Sequence, residues 1–272
     1  MKLVSIITIN YNNSEGLLRT LTSVKNQNTT NYELIVIDGG SLENDLLIIN
    51  SFKSIISYTI SEKDKGVYDA MNKGIKQATG DFLIFMNSGD AFYENDTLQK
   101  FEDLKMLHQQ YDVIYGDVNA VGLYSQQIIQ QPFNLSRSFF LNHTLNHQAT
   151  FIHKKLFDEF GLYSTHYKIS SDYEFFLKCY LKYPKKFSYH PFVVCDFYMD
   201  GISQNSNNFK LVGQEREVIH QLYFTKKELI QLKKLEPKKK FSKYVVYEFF
   251  NRYKVTSLIL NSLFSVYRKI KK

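Results

Sequence analysis

Three aspartates stand where apolar runs of the sequence end. Asp38 follows "ELIVI", Asp64 lies in "SEKDKG", and Asp90 closes "GDFLIFMNSGD". Because the carboxyl ends of parallel strands gather along one edge of a sheet, acids that are distant in sequence can meet in one crevice there. Each aspartate also suits a helix cap or a turn, so it is their convergence that makes them candidates for chemistry.

Asp90 has the chemistry of a ligand for a hard cation. Mg²⁺ and Mn²⁺ prefer oxygen ligands, commonly one or two carboxylates together with the phosphates of a substrate. One protein carboxylate can therefore suffice. The ion would neutralise the charge that develops on a departing diphosphate. The sequence thus predicts Mn²⁺ or Mg²⁺ as a cofactor.

The residues after the first apolar run indicate which nucleotide such a crevice would hold. A dinucleotide-binding fold needs a glycine-rich turn there, whereas this chain has "NYNNS", which argues against a dehydrogenase. A nucleotidyltransferase would need a glycine-rich, basic loop at the same place. The polar side chains and the ring of Tyr11 suit a base, with Asp38 accepting hydrogen bonds from the base or the ribose.

A fourth acid, Asp172, begins the amphipathic stretch "SSDYEFFL". Such a carboxylate serves either as a general base or as a simple N-cap.

His143 and His147 are four residues apart, but "HTLNH" lacks the glutamate of a zinc-hydrolase helix, which argues against zinc. Cys179 and Cys195 have no metal-ligand spacing, so they read as buried thiols in a reducing compartment.

The elements that must position these acids alternate between strand and helix. An alternation of this kind predicts an α/β fold with an open, mostly parallel sheet flanked by helices. The predicted strands are 3–9, 33–37, 55–60, 82–86 and 113–115, with 124–131 left as strand or loop. The predicted helices are 15–26, 66–78, 97–110, 154–160 and 172–182.

The 272 residues allow one large domain or one domain with an appendage. The net charge of +7 is concentrated beyond Lys226, which argues against a nucleic-acid-binding body and for a basic appendage that meets an anionic surface. The apolar run at the N-terminus is too short for a signal peptide. The predicted location is the cytoplasm. Peripheral contact with the inner face of the cytoplasmic membrane stays an open alternative.

The segment 241–272 mixes apolar with basic residues. Its longest charge-free run, 255–267, is shorter than the roughly 20 residues that cross a bilayer. Two alternatives stay open for it. It lies as an amphipathic helix on the membrane surface, or its apolar face packs on the catalytic domain or on a second subunit of a homo-oligomer.

Several spaced motifs together carry a family resemblance. "VSIITINYNN", "ELIVIDGGS", "EKDKGVYDAMNKGIKQATGDFLIFMNSGD" and "HQATFIHKKLFDEFG", followed by "SSDYEFF", resemble the family 2 glycosyltransferases of bacterial surface-polysaccharide assembly. The resemblance covers about residues 1–205. It implies a GT-A fold, a Rossmann-like nucleotide-sugar-binding sheet flanked by helices, as the catalytic domain over 1–205. The residue pattern beyond it predicts a basic, amphipathic helical tail over 206–272.

The resemblance also implies roles for individual residues around the donor. Asp38 would meet uracil or ribose, and Asp64 would lie by the ribose or the sugar. In "NSGD" the family's Asp-x-Asp motif keeps its last acid, Asp90, as the metal ligand. Asn87 or Ser88 occupies its first position. The other implied donor residues are Thr8, Asn10, Tyr11, Asp69 and Asn72.

The acceptor side is implied by the later motifs. Asp172 matches the base that deprotonates an acceptor hydroxyl for displacement of the nucleoside diphosphate with inversion. His147 and Gln148 match an "HQ" pair beside the acceptor, and 201–203 resembles a loop near the donor phosphates. The implied partners are a nucleotide-sugar donor, a UDP-sugar above all, and a saccharide or lipid-diphosphate-linked acceptor, with no nucleic acid. The alternative is a non-catalytic nucleotide-sugar-binding or scaffold protein of the same fold.

Overall fold

The computed structural model describes residues 2–122, 125–198 and 208–235. The strands are β1 (Val4–Asn10), β2 (Tyr32–Asp38), β3 (Ile56–Ser61), β4 (Phe82–Phe85), β5 (Ala91–Phe92), β6 (Val113–Val121), β7 (Gln126–Ile129), β8 (Thr150–His153) and β9 (Phe187–Tyr198). The helices are α1 (Ser14–Lys25), α2 (Glu43–Ser51), α3 (Val67–Gln77), α4 (Thr97–Leu107), α5 (Phe139–Asn142), α6 (Lys155–Phe160), α7 (Ser171–Lys182), α8 (Phe209–Tyr223) and α9 (Lys226–Leu235). Short 3-10 helices span His147–Ala149 and Pro184–Lys186.

The strands in the described ranges form a single sheet. Its order is β3-β2-β1-β4-β8-β6-β9-β5, and β7 pairs with the last four residues of β6, 118–121. The first four strands are parallel. The remaining pairs are antiparallel except for β6 with β9. The predicted α/β class is confirmed, but the parallel arrangement holds for one half of the sheet, and the other half is mixed.

The central strands are buried on both faces, as their continuous apolar sequences predict. In β4 all four residues are buried, whereas the edge strand β3 alternates between half-buried and exposed residues. Successive side chains point to opposite faces of the sheet. Ile6 and Ile84 therefore join the core under α1 and α4, and Ile7 and Phe85 join the core under α3 and α7.

The strand predictions for 3–9, 33–37, 55–60 and 82–86 are confirmed within two residues at each end. The prediction for 113–115 was too short, because β6 continues to Val121. The apolar run breaks at Gly116 and Asp117, yet the Asp117 carboxylate accepts a hydrogen bond from the Tyr189 hydroxyl at 2.9 Å in the paired strand. The adjacent strand β9 was not predicted. It contains Pro191 and no clear period.

α8 and α9 belong to the region predicted as a tail, and α8 packs on the core through the fully buried Ile219. The domain boundary at residue 205 stays a prediction. None of the helices in the described ranges is long and apolar enough to span a membrane. The amphipathic segment 241–272 lies outside the described residues.

The close approach of β6 and β9 generates a stability prediction. A Cβ atom added at Gly116 would lie 2.5 Å from the carbonyl oxygen of Phe192 and 2.9 Å from Cγ2 of Val194. Because that oxygen is backbone, the strands must separate. We expect Gly116→Ala to lower the free energy of unfolding in urea by about 1–3 kcal/mol or more.

Gly213→Ala is the matched control. An added Cβ there meets nothing within 4 Å, and the position is inside α8. We expect this substitution to raise the free energy of unfolding by up to about 1 kcal/mol, because alanine favours the helix over glycine. Equal unfolding midpoints for the two variants would contradict the close contact between β6 and β9.

Candidate functional site

The carboxyl ends of β1 and β2 are joined by polar side chains. Asn10 and Asp38 are register partners at the last position of each strand. The Asn10 Nδ2 atom lies 2.8 Å from Asp38 Oδ1 and 2.9 Å from Asp45 Oδ1. The Asp45 carboxylate also accepts from the backbone N–H of Asn13 at 2.9 Å. This network fixes the loops that leave both strands.

The carboxylate of Asp38 is occupied by protein donors. It is fully buried, and it accepts hydrogen bonds from the hydroxyls of Ser41 and Ser61, both at 2.6 Å, and from the Ser41 backbone at 2.9 Å. Burial acts to raise the pKa of Asp38, but the hydrogen bonds from Ser41, Ser61 and Asn10 outweigh it and lower the pKa. The structure thus uses Asp38 to hold the loop, and its contact with a base or ribose stays a prediction.

Tyr11 and Asp64 both lie close to Gly39, on the side where a side chain would project. A Cβ atom added at Gly39 would lie 2.6 Å from Asp64 Oδ2 and 3.2 Å from Cδ2 of Tyr11. The Tyr11 residue is 67% exposed. The other carboxylate oxygen of Asp64 accepts from the Gly66 backbone at 2.8 Å. The structure therefore brings an exposed ring and a carboxylate together at the edge of the sheet.

Two other predicted donor residues, Asn72 and Asp69, bond the protein backbone, and a third, Thr8, is buried with no hydrogen-bond partner for its Oγ1 atom among the described residues. Thr8 is fully buried on the same face of β1 as Asn10. The Asn72 amide bonds the backbone of Tyr163 through both of its ends, at 2.8 and 3.0 Å. Asp69 Oδ2 accepts from the Lys65 backbone at 3.1 Å. These contacts hold the loops around the crevice, and direct contact of the three residues with a donor stays a prediction.

The "NSGD" turn follows β4 at the same edge. Gly89 has a φ of +114°, which an L side chain rarely adopts. The Ser88 carbonyl accepts from Asn13 Nδ2 at 3.1 Å, and the Asp90 carbonyl accepts from the Thr20 hydroxyl at 2.6 Å. Asp90 is 6% exposed. The turn is thereby anchored to α1 and to the loop before it.

A hydrogen-bonded chain links this turn to the start of α7. The Asn87 Nδ2 atom lies 3.1 Å from His147 Nε2, and His147 Nδ1 lies 2.9 Å from Asp172 Oδ2. A neutral imidazole satisfies both contacts when Nδ1–H donates to the carboxylate and Nε2 accepts from the amide. His147 thus joins the predicted metal motif to the predicted base.

Asp172 is 9% exposed and has partners on both oxygens. Its Oδ1 atom accepts from the Tyr68 hydroxyl at 2.8 Å and from the Tyr173 backbone at 2.9 Å. Burial acts to raise the pKa of Asp172, but the hydrogen bond and charge of His147, with the bonds from Tyr68 and Tyr173, outweigh it and lower the pKa. Ionised Asp172 therefore contributes stability above its unfolded pKa, and that contribution is lost as the pH falls through the folded pKa.

Tyr68 has one proton and two acceptors. Its hydroxyl oxygen lies 2.8 Å from Asp172 Oδ1 and 2.6 Å from the carbonyl oxygen of Ile169. Burial and the neighbouring charge of Asp172 raise the pKa of Tyr68 well above its usual range, so the hydroxyl stays protonated. Because a hydroxyl has a single proton, it can donate to the ionised carboxylate and turn to Ile169 once the carboxylate is protonated.

The residues at the turn fit a hard cation. No group of three or more His, Cys, Asp or Glu side chains suited to a metal occurs in 2–122, 125–198 or 208–235. However, the Asn87 Oδ1 atom is buried and has no hydrogen-bond partner in these ranges. It lies in the same turn as the Asp90 carboxylate, since the Asp90 N–H donates to the Asn87 carbonyl at 2.9 Å. Two oxygen ligands of this kind leave further positions for a diphosphate.

Sequence reasoning missed Tyr68, Ser41 and Asp45. Tyr68 lies inside the motif "GVYDAMN". Its position directly before the predicted Asp69 was the one signal in the sequence that could have marked it as a site residue. Nothing local indicated that Asp45 would bond Asn10, 35 residues earlier. The predicted loop 201–203 lies outside the described residues.

Comparison with known proteins agrees with this architecture. The model of the family "Glycosyl transferase family 2" matches residues 5–161. A PGL/p-HBAD biosynthesis glycosyltransferase of Mycobacterium bovis is 34% identical over 179 residues, which cover 65% of this chain and 69% of the relative.

Two solved structures resemble the fold. S. aureus TarS in complex with UDP-GlcNAc superposes with a TM-score of 0.65 at 20% identity, covering 83% of this chain and 68% of TarS. A mannosyltransferase from Pyrobaculum calidifontis in complex with GDP-Man and Mn²⁺ has a TM-score of 0.55 at 14% identity, covering 81% and 62%. The GT-A fold that the resemblance implied is confirmed. Because the family model matches more than half of the residues, the chain belongs to glycosyl transferase family 2.

Proposed function

We propose that this chain is a metal-dependent, inverting glycosyltransferase. It moves a sugar from a nucleotide-sugar donor, a UDP-sugar, to a hydroxyl of a saccharide or lipid-linked saccharide acceptor in surface-polysaccharide synthesis. Family membership supports sugar transfer, and the geometry at the edge of the sheet supports the roles of the base and the metal ligands. The UDP-GlcNAc complex of TarS supports the donor, and the acceptor and pathway rest on the family resemblance.

One observation carries the proposal. His147 bonds Asn87 in the turn after β4 and Asp172 at the start of α7. An ionised carboxylate therefore lies two hydrogen bonds away from the turn that the resemblance assigns to the donor diphosphate. Inverting transfer requires a base and a leaving group on opposite sides of one anomeric carbon, and this chain of contacts brings the candidate base close to the candidate diphosphate site.

Asp172 acts as the general base of the proposed reaction. Its carboxylate takes the proton of the acceptor hydroxyl while that oxygen forms a bond to the anomeric carbon. The bond from the anomeric carbon to the diphosphate oxygen breaks, and the diphosphate leaves with the electron pair. The Tyr68 hydroxyl lies 2.6 Å from the Ile169 carbonyl, so it can turn there when Asp172 carries the proton.

Tyr11 and Asp64 form the proposed site for the nucleoside. The exposed Tyr11 ring offers a face on which a base can stack, and the Asp64 carboxylate can accept hydrogen bonds from a ribose. Gly39 permits their close approach, because a Cβ atom there would lie 2.6 Å from Asp64 Oδ2. The TarS complex contains UDP-GlcNAc in the same fold, which supports uracil as the base.

Asp90 and Asn87 are the residues proposed to hold Mn²⁺ or Mg²⁺. When bound, the ion supplies charge neutralisation at the leaving diphosphate. The P. calidifontis mannosyltransferase of this fold has Mn²⁺ together with its nucleotide sugar. Membrane contact through 241–272, a peripheral cytoplasmic location and a homo-oligomer stay predictions.

A donor screen tests the function. Nucleotide sugars are added with Mn²⁺ and the thermal midpoint is recorded. A donor at about 100 times its Kd adds about 2.7 kcal/mol of stability. The stabilising donor is then incubated with a lipid-diphosphate primer and the anomeric configuration of the product is determined. Retention of configuration, or no transfer from any stabilising donor, would contradict the proposal.

We expect Asp172→Asn to keep the fold and the donor-induced stabilisation but to lose transfer. A positioned general base contributes about 10²–10⁴ in rate, so kcat should fall by at least 10². Asp158→Asn, at an exposed position of α6, is the control and should retain the wild-type rate. Near-normal turnover by Asp172→Asn would remove this carboxylate from the mechanism.

We expect Asp90→Ala to weaken Mn²⁺-dependent binding of UDP by about tenfold or more, because loss of a ligand should cost at least as much as loss of a residue that orients one. Calorimetric titration of UDP with and without Mn²⁺ measures the effect. Asp81→Ala, just before the other end of β4, is the control. The metal assignment is wrong if both variants bind UDP with the same dependence on Mn²⁺.

We expect Tyr68→Phe to move the acid limb of the pH dependence of kcat toward higher pH. The substitution removes a hydrogen bond that lowers the pKa of Asp172, so the base is protonated at a higher pH. The plateau rate should fall only about fivefold, as for one lost hydrogen bond. Tyr180→Phe is the control. Tyr180 is on α7 with Asp172, and its hydroxyl donates to the carbonyl of Leu135, so its loss should leave the acid limb in place.

A further inference from the structure

Glu215 is a buried carboxylate that the reaction above does not use. It lies on α8 and is 8% exposed. Its two oxygens accept three backbone N–H groups, those of Lys168 at 2.6 Å, Ile169 at 3.1 Å and Ser170 at 3.0 Å. These three residues form the loop that leads directly into α7 and Asp172.

The three donors account for the charge of this carboxylate. A buried ionised group must be paired or hydrogen-bonded, and hydrogen bonds to an ionised acceptor are about twice as strong as neutral ones. Among the described residues, Glu215 is in no salt bridge. The hydrogen bonds that the structure shows for the Glu215 carboxylate all come from the loop 168–170.

The loop determines the surroundings of Asp172. The Ile169 carbonyl is the second acceptor of Tyr68, whose hydroxyl also bonds Asp172. The Tyr173 N–H, a donor to Asp172, follows in the first turn of α7. A shift of 168–170 would therefore change two of the hydrogen bonds around the carboxylate.

Other side chains of α8 hold the same end of α7. The Arg216 guanidinium carbon lies 4.7 Å from the centre of the Tyr173 ring, and His220 Nε2 lies 2.8 Å from the Tyr173 hydroxyl. The Tyr223 hydroxyl donates to Glu174 at 3.0 Å. α8 thus contacts residues on both sides of Asp172, namely the loop 168–170 before it and Tyr173 and Glu174 after it.

We propose that Glu215 is a positioning residue that sets the orientation of the Asp172 carboxylate by holding the backbone of 168–170. The inference rests on the proposed function, because it takes Asp172 as the base. It extends that function to α8, which lies outside the family match. The match ends at residue 161, and α8 begins 48 residues later, at residue 209.

Glu215→Gln tests the proposal, with Glu217→Gln as the matched control on the same helix. Glutamine keeps the shape but presents one acceptor oxygen and turns an N–H₂ group toward backbone donors. Glu217 is exposed. We expect hydrogen exchange of the amides of 168–170 to accelerate in Glu215→Gln and to stay at the wild-type rate in Glu217→Gln. The pKa of the Asp172 carboxyl, followed by carbon NMR, should rise in the first variant alone.

Kinetics separate positioning from general stability. We expect kcat of Glu215→Gln to fall by about 10²-fold, as for a misplaced catalytic group, while UDP binding with Mn²⁺ stays unchanged. In an Asp172→Asn background the same substitution should cause no further loss of rate, because residues that act through one group are not additive. A purely structural role would instead lower the rate equally in both backgrounds.

Each failure has its own signature. Unchanged exchange of 168–170 and an unchanged pKa of Asp172 would overturn the positioning role, whatever the activity. Wild-type turnover by Asp172→Asn would instead overturn the proposed function. If Glu215→Gln does not fold, Glu215→Asp keeps the charge with a side chain shorter by one methylene, and it should show the same changes in exchange and pKa to a smaller degree.

Discussion

The contact between His147 Nδ1 and Asp172 Oδ2, at 2.9 Å, is the interaction on which the rest of the site depends. Together with the contact between His147 Nε2 and Asn87 Nδ2, it links the turn after β4 to the first turn of α7, two parts of the chain that share no strand pairing. A buried carboxylate without partners would be neutralised or would destabilise the fold. The imidazole, the Tyr68 hydroxyl and the Tyr173 N–H together keep Asp172 ionised in a nearly enclosed place.

Several buried acids outside the proposed reaction hold loops in place through hydrogen bonds from protein donors. Asp38 and Asp45 are surrounded by donors at the ends of β1 and β2. Glu33 accepts from the Ser5 hydroxyl and from the backbone of Thr79 in the same way. Such carboxylates hold loops in place because each has exchanged water for protein donors. Convergence of acids at one edge of a sheet is therefore necessary for a site, but it does not say which acid meets the substrate.

The two halves of the sheet support different parts of the proposed site. Its parallel half places Asn10, Asp38 and the "NSGD" turn at one edge, where the nucleotide is proposed to lie. The mixed half supplies β8, β6 and β9, and the chain beyond them returns as α8 to hold α7. The donor side thus depends on local βα units, whereas the side with the base is assembled from segments scattered along the chain.

The amino-acid pattern alone was enough to predict the parallel strands, the helices α1 and α3 and the family, but it missed α2, which follows β2. Continuous apolar runs ending in polar residues have few alternatives to buried parallel strands. The pairing of β9 with β6 and the partners of Asp172 could not be predicted in this way. Tyr68 lies 104 residues before Asp172, and Glu215 lies 45 residues after Ser170. A hydrogen bond between residues so far apart in sequence depends on how the helices pack on the sheet. The types and local spacing of the residues do not determine which distant side chains meet.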